Sequence, residues 1–152
     1  MGLCARLQRE FLRFHGWLYR SSAGRFGHHL IGVPTLLLET TGRQTGARRI
    51  NALVYASDGS AFVVVASNGG SDRPPAWLLN LRANPGVALQ RGRSRTAAQA
   101  RVVAEDDPEY DRLWRLVNQA NHGRYDVYQS KTRRSIPLVV LTPVGAGSVG
   151  AS

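Results

Sequence analysis

The residues best suited to chemistry in this chain are cations gathered at a turn. Between two apolar runs, Leu36 to Thr41 and Ile50 to Tyr55, stands Gly42-Arg43-Gln44-Thr45-Gly46-Ala47-Arg48-Arg49. Glycine supplies the positive φ a tight turn needs, so the pattern predicts two strands joined as a hairpin. Such a turn offers backbone N–H groups at one end of a sheet, and Arg43, Arg48 and Arg49 set three permanent cations beside them. Together they suit an anion, above all a phosphate. An arginine-rich turn that is merely solvated reads the same way, so the turn alone leaves both possibilities open.

Other chemistry finds less support. His15, His28, His29 and His122 lack a Ser or Cys in a nucleophile elbow, and Gly42 to Gly46 lacks the Gly spacing and Lys-Ser/Thr pair of a phosphate-binding loop. His28 and His29 are adjacent rather than one helical turn apart, and no metal site is expected. Most carboxylates fall in turns or in Asp106 to Asp111, which leaves paired-carboxylate hydrolysis without a basis. Cys4 is the only cysteine, which excludes an internal disulfide and a cysteine zinc cluster. If the protein is an enzyme, a bound cofactor carries the reaction. The net charge of +10, with every basic residue but Lys131 an arginine, favours polyanions: nucleic acid, anionic membrane or a multiply charged small molecule. No apolar segment reaches the roughly 18–20 residues of a membrane span, and no signal core is visible, so a soluble cytoplasmic protein is expected.

The elements that must position the turn follow from periodicity. Leu3, Leu7, Phe11, Phe14 and Leu18 share one helical face, so residues 1–32 read as an amphipathic helix and a Ser/Gly-rich loop. That helix suits docking on the core or, through residues 3–18, on the inner face of a membrane. Residues 33–144 read as one folded domain, and 145–152 as a disordered tail. Within the domain, Ala61 to Ala66 is a buried strand running into the small residues Ser67-Asn68-Gly69-Gly70, where another group can approach the backbone. A short helix opens after Pro74-Pro75 and stops at Asn84-Pro85-Gly86. Val87 to Gln90 and Ala97 to Val103 form a strand pair, and Asp106 to Glu109 caps a helix whose inner face is Leu113, Leu116, Val117 and Ala120. A polar, Tyr-bearing segment then leads to a last strand from Ile136 to Leu141. About six strands in neighbouring hairpins suggest a mainly β, α+β fold closed or half-closed into a barrel, which removes exposed edges.

Four blocks, TTGRQTGARRINAL, VASNGG, AWLLNLRANP and YQSKTRRSIPLVVL, in this order and at these separations, resemble the deazaflavin-dependent nitroreductase family over about residues 30 to 143. The resemblance implies a split β-barrel like that of FMN-binding oxidases. It also implies coenzyme F-420, a deazaflavin with a phosphorylated oligoglutamyl tail, and hydride transfer from it to a quinone, enone or nitroaromatic acceptor. On the matching positions, Arg43, Gln44, Thr45 and Arg49 would meet the phosphate and tail, and Asn51, Ala52 and Leu53 would pass beneath the ring. Ala66, Ser67, Asn68 and Gly69 would line its other edge, and Trp77 and Asn80 would pack and cap near the tail. Tyr125 and Tyr128 would form a lid over the acceptor, with Ser67 and Tyr128 donating to the charge that develops on it. Gln44 and Asn68 stand where lysines are familiar, Val54 and His122 where tyrosines are, and Lys131 where an aromatic is. These departures bear on nitroimidazole reduction more than on cofactor binding. The assembly is expected to be a monomer or homodimer. An FMN- or nicotinamide-using relative on the same barrel, and a basic barrel binding nucleic acid, are the alternatives.

Overall fold

The computed structural model describes residues 33–144, so the expected N-terminal helix and loop and the expected tail lie outside the described residues. Seven strands form one sheet: β1 Thr35–Thr41, β2 Arg48–Val54, β3 Ala56–Asp58, β4 Ala61–Val65, β5 Gly86–Arg91, β6 Ser94–Val103 and β7 Leu138–Pro143. Helix α1, Ala76–Ala83, crosses from β4 to β5, while α2, Tyr110–Ala120, and α3, Arg124–Ser130, lie between β6 and β7. The sheet order is β2-β1-β5-β6-β7-β4-β3, and every neighbouring pair is antiparallel.

The end strands β2 and β3 are separated in the chain by Tyr55 alone, so the sheet has to curl until its two ends meet. Tyr55 is the corner. Its N–H donates to the Pro34 carbonyl at 3.1 Å, and its buried ring meets Phe62 edge-on with centroids 5.4 Å apart. The Arg91 guanidinium lies 4.9 Å from the Phe62 ring centre and closes the corner from outside.

Curling gives the sheet an inner and an outer face, each with its own core. Inside, Leu36, Leu38, Val64, Val87, Leu89, Val139 and Leu141 alternate along their strands and pack with Trp77, Leu78 and Leu81 of α1. Outside, Val63, Val65, Val103, Leu138 and Val140 pack with Tyr110, Leu113 and Val117 of α2 and Tyr125 of α3. Because β4 and β7 are covered on both faces, their sequences are uninterrupted apolar runs rather than alternating ones.

Two expectations need correction. Leu116 and Ala120 are only partly buried against the second core, and no acidic side chain caps the helix: Glu109 holds the N-cap position without a side-chain bond, while Asp107 Oδ1 accepts from the Glu109 N–H at 2.9 Å just before it. The Tyr-bearing segment is a helix, α3. Its start is set from α2: Asn118 Oδ1 accepts from the Asp126 N–H at 3.1 Å, and Asp126 Oδ1 accepts from Trp114 Nε1 at 2.7 Å. Gly123, at φ 76°, makes the reversal between the two helices.

Arg112 ties α2 to the β3–β4 turn by donating to both Asp58 carboxylate oxygens at 3.0 Å. That hydrogen bond holds the Asp58 carboxyl below its ordinary value despite an opposing desolvation effect. A depressed folded pKa means stabilisation that is complete above the unfolded value and lost as pH falls through the folded one. Asp58→Asn should therefore lower Tm at neutral pH by a few degrees, and thermal melts at decreasing pH should show the gap to wild type closing below the ordinary carboxylate range.

Candidate active site

The β1–β2 turn is largely self-satisfied. Gly42 N–H donates to the Ala47 carbonyl at 2.7 Å, Gly46 N–H to the Gly42 carbonyl at 2.8 Å, and Ala47 N–H to Thr45 Oγ1 at 3.2 Å. Arg43 N–H donates to Asn80 Oδ1 at 3.2 Å. The expectation of a row of free amides is thus corrected: among the described hydrogen bonds only the Gln44 and Thr45 amides are left unused. What remains outward is side-chain chemistry. Thr45 Oγ1 already accepts a bond, so its proton is free to donate outward, and Gln44 is exposed beside it. Asn80, 5 % exposed on α1, also accepts from Arg43 Nη1 at 3.1 Å and donates to Thr40 Oγ1 at 3.4 Å. One buried amide therefore fixes both the backbone and the head group of Arg43.

The strand register sorts the remaining basic residues by face. Thr40 opposes Arg49, Leu38 opposes Asn51 and Leu36 opposes Leu53, so Arg49, Asn51 and Leu53 form a stripe on the inner face. Arg48, Ile50 and Ala52 point to the outer face with Glu39. Of the expected ring-floor residues, Asn51 and Leu53 offer side chains to the inner side, and Ala52 offers only backbone there. Arg48 and Arg95 are both ion-paired to Glu39, a nearly buried carboxylate in the middle of β1. Arg48 is thereby removed from the set of free cations. Among the described residues no carboxylate pairs with Arg43 or Arg49.

At the other end of the stripe Leu53 packs against the inner core, which contains Ala66 and Trp77. Ala66 leads into Ser67, 8 % exposed, whose hydroxyl bonds to no other described residue. Asn68 to Gly70 form a single 3-10 turn, with φ values of 46°, 66° and 85°. Asn68 Nδ2 donates to the Arg73 carbonyl at 3.0 Å. The group that approaches the glycines closely is helix α3: a Cβ on Gly70 would lie 2.7 Å from the Tyr128 carbonyl oxygen. At Gly69 the same Cβ would meet open space. The turn is therefore packed at Gly70 and open at Gly69.

The two expected lid residues separate. Tyr128 is half-buried beside this turn and meets the Tyr125 ring with centroids 6.1 Å apart. Tyr125 is 5 % exposed and belongs to the outer core, so it buttresses Tyr128 and does not open to solvent. Burial, and then the neighbouring Tyr128, push the Tyr125 phenol well above the usual tyrosine range, which keeps it neutral. A separate groove of about 420 Å³ between α2 and α3, lined by Trp114, Asn118, His122 and Asp126 among others, contains none of these residues. Among the described residues no group of three metal-ligating side chains occurs, and no helix is long and apolar enough to cross a membrane.

A curled antiparallel sheet with a helix packed into its interior, and a donor-rich inner strand leading to an apolar wall, define a split β-barrel of the cofactor-binding kind. Residues 11–143 match the family described as F420H(2)-dependent quinone reductase, and the chain belongs to that family. A Mycobacterium tuberculosis protein named as an F420H(2)-dependent quinone reductase is 48% identical over 134 residues, 88% of this chain and 90% of that protein. A solved F420-H2 dependent reductase is 33% identical, with TM-score 0.64, covering 71% of this chain and 93% of its own. A chain described as a domain-swapped dimer is 30% identical, with TM-score 0.65 and coverage of 82% and 96%. More distant structures share the fold alone, among them an FMN-binding protein of Nostoc punctiforme at 13% identity and TM-score 0.52.

Asn80→Ala should destabilise the protein by about 1–3 kcal/mol in urea unfolding, because it removes the donor to the buried Thr40 hydroxyl and the acceptor of two Arg43 bonds. Asn80→Asp should retain stability but neutralise Arg43. Alanine at Gly69 should cost about 1–2 kcal/mol for its left-handed backbone. Alanine at Gly70 should cost clearly more, since there it also meets the α3 backbone.

Proposed function

We propose that this chain is an oxidoreductase that binds reduced coenzyme F-420 and delivers hydride to a quinone-class acceptor. The observation that carries this is the inner stripe of β2. It runs from uncompensated arginines to an apolar wall beside an unpartnered serine hydroxyl. Four residues of extended strand separate Arg49 from Leu53, about 13 Å. That span suits an elongated ligand with an anionic end and a flat apolar end. The donor set fits the group: Arg43, Arg49, Thr45 and Gln44 present donors to phosphate and carboxylates, while the partly exposed Leu53, backed by buried Ala66 and Trp77, supplies an apolar edge and Gly69 leaves room. The relatives' printed names support the same reading.

When bound, reduced F-420 supplies a hydride, a two-electron donor chemistry that the side chains themselves lack. Arg43 and Arg49 would hold the anionic end, with Asn80 keeping Arg43 in place. Asn51, the Ala52 backbone and Asn68 would hold the flat end. Ser67 donates a hydrogen bond to the oxygen that gains charge on the acceptor. Tyr128 covers the acceptor and excludes water, held by Tyr125. Acceptors of the enone and nitroaromatic classes are finer possibilities of the same site, as are a cytoplasmic location, contact with the inner membrane face and a homodimeric assembly.

Mixing the protein with reduced F-420 and a panel of quinones, enones and nitroimidazoles should return the oxidised cofactor's visible absorbance fastest with quinones. Tight binding of FMN alone, or no acceleration with any acceptor, overturns the assignment. Arg49→Ala should raise the Kd for F-420 by about 10–100-fold, the effect of losing one charge-assisted bond. Ser67→Ala should lower kcat by about 100-fold with little change in cofactor affinity.

A further inference from the structure

Arg134 lies outside the residues placed against the ligand, yet it grips the turn that carries Ser67. Its Nη2 donates to the Ala66 carbonyl at 3.1 Å and to the Ser67 carbonyl at 2.9 Å, and its Nε donates to the Ser71 carbonyl at 2.8 Å. One planar group thus joins the entry and the exit of the turn. Between those points Asn68, Gly69 and Gly70 hold positive φ and the turn closes with its own bonds from Gly70 N–H to the Ser67 carbonyl and from Ser71 N–H to the Asn68 carbonyl; the glycines adopt this backbone freely, and Asn68 is the residue for which it costs energy.

The backbone of Arg134 is itself anchored. The Arg134 carbonyl accepts from Gln129 Nε2 at 2.8 Å, and its N–H donates to Thr132 Oγ1 at 3.3 Å. The Thr132 hydroxyl donates to Asp72 Oδ1 at 2.7 Å. Among the described residues no carboxylate lies within ion-pair distance of Arg134; its direct bonds are to three carbonyls, with the Asp72 carboxylate near enough to act on its charge.

In a planar trans peptide the N–H points opposite to the C=O. Holding the Ala66 and Ser67 carbonyls toward Arg134 therefore turns the N–H groups of Ser67 and Asn68 to the other side, and neither makes a described hydrogen bond. Ser67 has right-handed dihedrals, φ −78° and ψ −32°, and Asn68 follows at φ 46°. A right-handed residue followed by a left-handed one converges its amides into a concavity that accepts an anionic atom.

We propose that Arg134 is a positioning residue that shapes the Ser67-Asn68 backbone into a cup of N–H donors for a negatively charged oxygen of the bound ligand. The claim rests on the proposed F-420 site, whose ring end this turn borders. Lysine cannot replace the arginine, because a single ammonium does not span three carbonyls in a plane.

Arg134→Lys keeps the charge and loses the fork, while Arg134→Ala with added ethylguanidinium restores it from solution. Without any ligand, amide exchange at Gly70 and Ser71, whose N–H groups close the turn onto the Ser67 and Asn68 carbonyls, should rise about tenfold or more in both variants, with β1 and α2 protection unchanged. With reduced F-420 and a quinone, kcat should fall at least about tenfold while acceptor KM stays within about twofold. Ethylguanidinium should restore part of the rate to Arg134→Ala and leave wild type unaffected. Unchanged exchange at Gly70 and Ser71 in Arg134→Lys, or a uniform loss of protection across the barrel, overturns the proposal. So does altered exchange with full kcat in a wild-type-like turnover. Wild type that fails to bind F-420 while the exchange result holds overturns the proposed function and the identity of the ligand, and leaves the clamp on the turn supported.

Discussion

A sheet whose two end strands are joined by one residue has to close on itself. That single constraint, Tyr55 between β2 and β3, underlies the rest of the molecule. It gives the strands an inside and an outside, creates two cores where a flat sheet of this size would have one, and leaves a tapered interior that α1 fills. It also brings the inner face of β2 toward the end of β4, so a stripe of polar residues and a turn of small ones, distant in the chain, border the same space. The corner is reinforced by an edge-on aromatic contact and by a cation over the Phe62 ring, the first a packing contact and the second an electrostatic attraction to the ring face.

Closure also sorts charge. Alternation along β2 sends Arg48 outward, where Glu39 neutralises it together with Arg95, and sends Arg49 inward, where no described carboxylate meets it. The strongly basic composition is therefore not spread evenly in effect. A buried carboxylate with two cations is costly to desolvate and contributes little net stability; its result here is to quiet one face while the other stays electropositive.

Much of this was legible in the sequence. The hairpin, the buried run of β4, the Pro-initiated α1 and the barrel itself follow from periodicity and turn residues, because each is set by neighbours in the chain. Four ordered blocks also made the family legible. Other features were set by partners that local pattern does not show. Helix α3 starts on an acceptor supplied by Asn118 of α2, and β3 exists only because β4 pairs with it. Tyr125 reads in sequence as part of a lid over the acceptor, and local pattern does not show that α2 and the outer sheet face cover it. The role of Arg134 required knowing which carbonyls lie within its reach. Glu39 was the one visible clue passed over: a lone carboxylate in an apolar strand demands cations, and Arg48 and Arg95 meet that demand.

Helix α1 touches the site at both ends. Trp77, in its first turn, joins the apolar wall with Ala66, and Asn80, one turn later, holds Arg43. The two residues are three apart, about 4.5 Å along the helix axis, so one rigid element fixes the apolar packing beside Ala66 and the anchor of Arg43 relative to each other. Each residue added between them would swing Asn80 about 100° around the axis and release Arg43.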